Sequence, residues 1–163
     1  MSGRGFPKIP CLVAALGGVA LWLSFPGASQ GAELRISCPL AIEVKGLRAR
    51  QAPTGWQLLV DQNANLTAAV RLSAGGLLHG PPEESGYLVP TEAKERRHGE
   101  RVTWWQRWQL ERPHWYQTFA HCDYGAGRGV PQLVRPVPED AAECILTSSR
   151  RGSVVDQVMF VCK

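Results

Sequence analysis

Strict alternation of apolar and polar residues is what most narrows the fold of this chain. Leu34, Ile36, Cys38, Leu40, Ile42 and Val44 take turns with Arg35, Ser37, Pro39, Ala41, Glu43 and Lys45. A period of two puts every second side chain on one face of an extended strand. Trp56, Leu58 and Val60 repeat the pattern before a turn at 61–63, and Leu66, Ala68, Val70 and Leu72 supply a third strand. Gly75-Gly76 and Gly80-Pro81-Pro82 then break it, so that 80–99 is expected to be one long irregular loop with a helical turn around 92–97. Alternation resumes at Arg101: Val102, Trp104, Gln106, Trp108 and Leu110 share one face, and Thr103, Trp105, Arg107 and Gln109 the other. The runs 114–124, 130–137, 142–148 and 153–162 complete about seven or eight strands, the last five expected as a meander. The fold class is therefore all-β, an antiparallel sandwich or small barrel, in a single domain over residues 30–163.

Ahead of the strands, residues 1–8 carry Arg4 and Lys8 and no acid, and residues 9–25 carry no charge. This is the profile of a signal peptide over residues 1–29. The apolar run is broken by Pro10, Gly17 and Gly18, ends at Pro26, and is followed by the small residues Gly27, Ala28 and Ser29. Cleavage near Ser29 is expected to leave no stable membrane span. It would also remove two cations, leaving 16 Lys+Arg against 14 Asp+Glu. With Glu92, Glu95 and Glu100 interleaved among Lys94, Arg96, Arg97 and Arg101, no stripe of the kind that tracks phosphates is visible, and nucleic acid is set aside as a partner.

Cleavage discards Cys11 as well, and the even number left, Cys38, Cys122, Cys144 and Cys162, predicts two disulfides in an oxidising space, either the periplasm or the exterior. Three pairings are open. Cys144 and Cys162 flank a turn at Arg150-Arg151-Gly152, which would bring them face to face across a hairpin and leave Cys38 to Cys122. The short bridge is worth about 3 kcal/mol and the long one about 4–5 kcal/mol in the chain-entropy account. A zinc site is the rival use of four cysteines, but no C-x-x-C pair occurs.

The chemistry-bearing residues are sparse. His79, His98, His114 and His121 form no close ligand pair, and there is no G-x-S-x-G, so neither a catalytic residue nor a metal or cofactor is implied. Glu83 and Glu84 would suit glycoside cleavage only across a substrate, and beside Gly80-Pro81-Pro82 they look more like solubilisers of a loop. Trp104, Trp105, Trp108, Trp115 and Tyr116 cluster on two consecutive strands. Trp104 and Trp108 are expected in the core, whereas Trp105 lies opposite, beside Arg107, where an exposed ring could stack on a sugar or anchor a protein. Candidate binding residues are therefore Trp105, Arg107, Trp115, Glu83 and Glu84.

Cys38-Pro39, Gly55-Trp56-Gln57, Gly80-Pro81-Pro82-Glu83, Leu88-Val89-Pro90, Cys122-Asp123-Tyr124-Gly125, Arg135-Pro136-Val137-Pro138 and the last two cysteines follow one another in an order that resembles a locus-named (STY-type) family of small exported proteobacterial proteins. That resemblance transfers no activity. A looser similarity, of compartment, size and strand content alone, is to periplasmic inhibitors of C-type lysozyme. The expectation is an exported, non-enzymatic binding protein of the bacterial envelope, an inhibitor or immunity-type factor, using the 80–99 loop and the aromatic hairpin. Its partner would be another envelope or secreted protein, or a cell-wall glycan. The alternatives are an envelope carbohydrate-processing hydrolase and a structural envelope protein.

Overall fold

The computed structural model describes residues 33–45, 48–50, 53–59, 67–84, 86–111, 116–126 and 130–163. The expected signal peptide and Trp115 lie outside the described residues. The strands are β1 (Leu34–Ser37), β2 (Ala41–Lys45), β3 (Arg48–Arg50), β4 (Gln57–Leu59), β5 (Thr67–His79), β6 (Glu92–His98), β7 (Arg101–Gln109), β8 (Thr118–Tyr124), β9 (Gln132–Pro136), β10 (Glu143–Arg151) and β11 (Val154–Cys162), with a 3-10 turn, η1, at Pro82–Glu84. They form a five-stranded sheet in the order β1-β11-β10-β7-β6 and a six-stranded sheet in the order β3-β2-β5-β8-β9-β4, with every pair antiparallel. Among the described residues no helix is long and apolar enough to cross a membrane.

The expectation of an all-β antiparallel sandwich or small barrel holds, in the form of two sheets, but the C-terminal strands are not a meander. β7, β10 and β11 lie in one sheet and β8 and β9 in the other. The physical reason is that each sheet has an apolar face to cover. The chain satisfies both by changing layers between β1 and β2, β5 and β6, β7 and β8, and β9 and β10. Ile36, Leu146, Val158 and Phe160 from the first sheet meet Leu72, Leu77, Ala120 and Leu133 from the second in one buried cluster. A fully enclosed aliphatic side chain of this kind contributes about 1.5–3 kcal/mol.

The layer changes are pinned by specific bonds. Cys38 donates its backbone N–H to Val158 (3.0 Å), which keeps it in the five-stranded sheet, while its sulfur is joined to Cys122 on β8 with 5.9 Å between the Cα atoms. The buried Tyr124 hydroxyl donates to the Pro39 carbonyl at 3.0 Å. Burial, and then the neighbouring Asp123 charge, pushes this phenol well above its ordinary range, so it stays a donor. The second bridge joins Cys144 to Cys162, directly opposite residues 4.1 Å apart at Cα. The next pair, Glu143 and Lys163, exchanges both backbone hydrogen bonds, which makes the cysteines the closer, non-hydrogen-bonded pair that a disulfide can span.

The return from β5 to β6 is held by Leu88, whose N–H bonds the Leu77 carbonyl (2.9 Å) and whose carbonyl accepts the Trp108 indole N–H (3.0 Å). Tyr87 is tied down nearby. Gln132 donates both to its hydroxyl (3.0 Å) and to the Asp123 carboxylate (2.8 Å), which also meets His121 Nδ1 at 3.0 Å. The irregular excursion is thus shorter than expected and ends before Glu92. Residues 92–98 form β6 rather than a helical turn. Every residue of β6 is exposed, so the strand carries no apolar alternation and is held by its backbone pairing to β7.

Gly75 and Gly76 do not interrupt β5 either. A Cβ on Gly75 would stand 2.7 Å from Val158 Cγ1 and 3.0 Å from the His121 carbonyl oxygen, and one on Gly76 would stand 2.7 Å from His121 Nε2. The two glycines let the second sheet close on β11 and let His121 lie across the strand. Gly75→Ala is expected to lower stability by about 1–3 kcal/mol, because backbone as well as side chain must shift. A lowered urea midpoint with an unchanged slope checks this; a variant as stable as the parent would mean that the sheets do not approach so closely.

Candidate functional site

The register of the five-stranded sheet lays its side chains in transverse rows. On the face opposite to Leu146 and Phe160, one row runs Ser37, Met159, Thr147, Trp105, Lys94 and the next Arg35, Val161, Ile145, Arg107, Glu92. Met159, Val161, Ile145, Thr147, Trp105 and Arg107 are all half-buried. Neighbours in a sheet shield one another's flanks and leave the tips in water. The result is an apolar centre of three aliphatic residues and one indole, bordered by charge. A Trp beside an Arg on a flat surface is the composition of a binding anchor.

The charged border is already fixed. Arg107 Nε and Nη2 both reach Glu143 Oε2 at 2.7 Å, Arg107 Nη1 lies 3.5 Å from Glu92, and Lys163 Nζ lies 3.0 Å from Glu143 Oε1. This chain crosses β6, β7, β10 and the last residue, beside an open depression of about 610 Å³ lined by Arg107, Leu110, Glu143 and Lys163. The Glu143 carboxyl is held below its ordinary range, first by the Lys163 hydrogen bond and then, against the desolvation that opposes it, by Arg107. Lys94 Nζ lies 5.0 Å over the Trp105 ring, so the indole too is held by a neighbour.

The other expected residues fall elsewhere. Glu83 and Glu84 are exposed on η1, at the end of β5, and the structure does not bring them to the Trp105 face. Trp108 is in the core as expected, 3% exposed. Trp104 is not. It is half-buried, donates to Glu95 Oε2 at 3.0 Å and carries the Arg150 guanidinium 4.6 Å over its ring. The inward-facing Ala93, Glu95 and Arg97 of β6 are exposed, so this hairpin reaches past the region where the two layers overlap. Ile145, Met159 and Val161 were legible only as strand residues. Their signal is that 158–162, Val-Met-Phe-Val-Cys, is apolar on both faces, unusual for a sheet with one face in water. Among the described residues no three His, Cys, Asp or Glu side chains converge where a metal ion could sit.

Because the Glu143 carboxyl is lowered in the fold, its contribution is present above the ordinary carboxylate range and is lost as pH falls through the folded value. Glu143→Gln should therefore cost about 1 kcal/mol at neutral pH, with the gap closing in acid. Urea midpoints at the two pH values test this, and a gap that persists in acid would assign the effect to packing.

No curated protein and no solved structure matches the chain. Residues 64–163 match the model of the family described as Type VI secretion system Tli immunity protein. That span takes in every strand from β5 to β11, including the whole of the Trp105 row apart from Ser37, and exceeds half of the chain; the chain therefore belongs to the Tli immunity protein family.

Proposed function

We propose that the chain is an exported immunity protein that binds a secreted effector of a type VI secretion system in the periplasm and neutralises it. The surface it uses is the outer face of the five-stranded sheet. The observation that carries this surface is the Met159, Thr147, Trp105 row beside Val161, Ile145 and Arg107, an apolar centre with a pre-set charged border inside the family-matched region. Side chains held before contact lose less freedom on binding. Two disulfides suit an oxidising compartment, and the signal peptide expected at residues 1–29 would deliver the chain there. The Lys94 ammonium occupies a face of Trp105 on which a sugar would stack, which favours a protein partner over a cell-wall glycan. The envelope-hydrolase and structural alternatives draw no support from this geometry.

Deleting the gene from a strain with an active secretion system should make that strain sensitive to attack by its own parent. Full-length protein should restore resistance, and a form lacking residues 1–29 should not. A deletion strain as resistant as the parent would remove the immunity role. Trp105→Ala should weaken binding to the neutralised effector by about 2 kcal/mol, roughly thirtyfold in Kd. An unchanged Kd by calorimetry would move the interface off this face.

A further inference from the structure

The end of the five-stranded sheet that carries the β6–β7 and β10–β11 turns differs in charge from the Glu143 end. On the Trp105 face, Arg151, Arg101 and His98 stand side by side in one row, and Ser149, Thr103 and Arg96 in the next. On the opposite face the intervening row holds Arg150, Val102 and Arg97. Five arginines are thus gathered in three rows, with Glu95, Glu100 and Asp156 as the local acids. Arg97 pairs with Glu95 at 3.3 Å and Arg101 with Asp156 at 3.4 Å. Among the described residues Arg96 and Arg151, both on the Trp105 face, pair with no carboxylate, whereas Arg150 on the opposite face lies over the Trp104 ring. Arg96 and Arg151 are exposed.

Folding alone disfavours this arrangement. Like charges directly opposite in a sheet repel, and Arg101 stands directly opposite Arg151. The cost is recovered if carboxylates arrive from outside, since guanidinium groups bind carboxylates through paired hydrogen bonds that lysine cannot reproduce. We propose that Arg96, Arg101 and Arg151 at this end form a recognition surface for a carboxylate-rich patch of the partner protein, continuous with the Trp105 face. The proposal rests on the immunity role for the identity of the partner, but not for the existence of the surface.

The test uses the mature oxidised protein and a fluorescently labelled oligoglutamate peptide, read by anisotropy, with phosphatidylglycerol vesicles in parallel. Arg96→Glu with Arg151→Glu changes two exposed side chains, and retained strand content by circular dichroism confirms the fold. The control, Lys45→Glu with Arg71→Glu, makes the same change of net charge on exposed positions of the other sheet. The expected result is that the arginine variant weakens peptide binding about tenfold, that the control weakens it by less than about twofold, and that rising salt erases the difference. Equal losses from both variants would reduce the effect to net charge and overturn the proposal. So would vesicle binding that depends on Arg96 and Arg151 where peptide binding does not, which would make the occupant a membrane. If the deletion strain is resistant while the peptide still binds at this end, the immunity role falls and the carboxylate surface stands. If protection holds and the arginine variant binds peptide normally, this proposal falls alone.

Discussion

Cys38 belongs to both sheets at once, through its backbone bond to Val158 and its sulfur bond to Cys122, and the rest of the architecture depends on that double membership. The bridge closes a sequence separation of 84 residues, the kind of long loop whose closure stabilises most, at about 4–5 kcal/mol in the chain-entropy account. Tyr124 repeats the clamp one residue further along by bonding to Pro39. With the first change of layer fixed, the inner face of the five-stranded sheet is committed to Leu72, Leu77 and Leu133, and its outer face is the one left to contact something else. The Cys144–Cys162 bridge then ties β10 to β11, the two strands that carry Ile145, Met159 and Val161, so the open face is held by covalent as well as backbone bonds.

Much of this fold could be read from the residues because burial writes itself as alternation. β1, β2 and the cysteine-bearing ends of β10 and β11 alternate buried with less buried residues, while β7 buries Val102 and Trp108 on the same face, and the turn at Gly152, with φ of 57°, announces itself as a residue free to take a left-handed conformation. β6 was illegible for the complementary reason. Glu-Ala-Lys-Glu-Arg-Arg-His contacts no core, so its extended state is imposed by pairing with β7, and its composition matches a helical turn at least as well as a strand. Gly75-Gly76 misled in another way: their lack of side chains reflects the closeness of Val158 and His121 rather than a turn.

The site was legible only in part. Opposition to the Val102 and Trp108 face sufficed to place Trp105 and Arg107 on the outside of β7. What a single strand could not disclose was the neighbours that make a surface of them. Ile145, Met159 and Val161 become a patch with Trp105 only through the order β11-β10-β7, a long-range fact with no local signature. Glu83 and Glu84 stand out as adjacent acids, yet their turn follows β5, a strand of the other sheet. Trp104 shows the limit of face assignment: it shares a face with Trp108, but a residue becomes core only where the second layer reaches.

That overhang also reconciles two demands on an edge strand. A free edge invites pairing with other chains, and native proteins blunt it with charge. β6 does so with Glu92, Lys94, Glu95, Arg96 and Arg97, which discourages pairing with other chains and at the same time places Lys94 over Trp105 and Glu95 against the Trp104 indole. On the proposed reading, the two ends of the sheet would divide the work of recognition. At the Glu143 end, Arg107 and Lys163 are neutralised within the protein and present a shaped but balanced border. At the turn end the charges remain unbalanced and extend their field outward. Apolar burial in the centre would set how long a complex lasts, because it scales with area and is not screened by ions. The field of the arginine end would set how fast the right partner arrives and which partners are turned away. A surface built this way would gain selectivity from the residues that contribute least to its own stability.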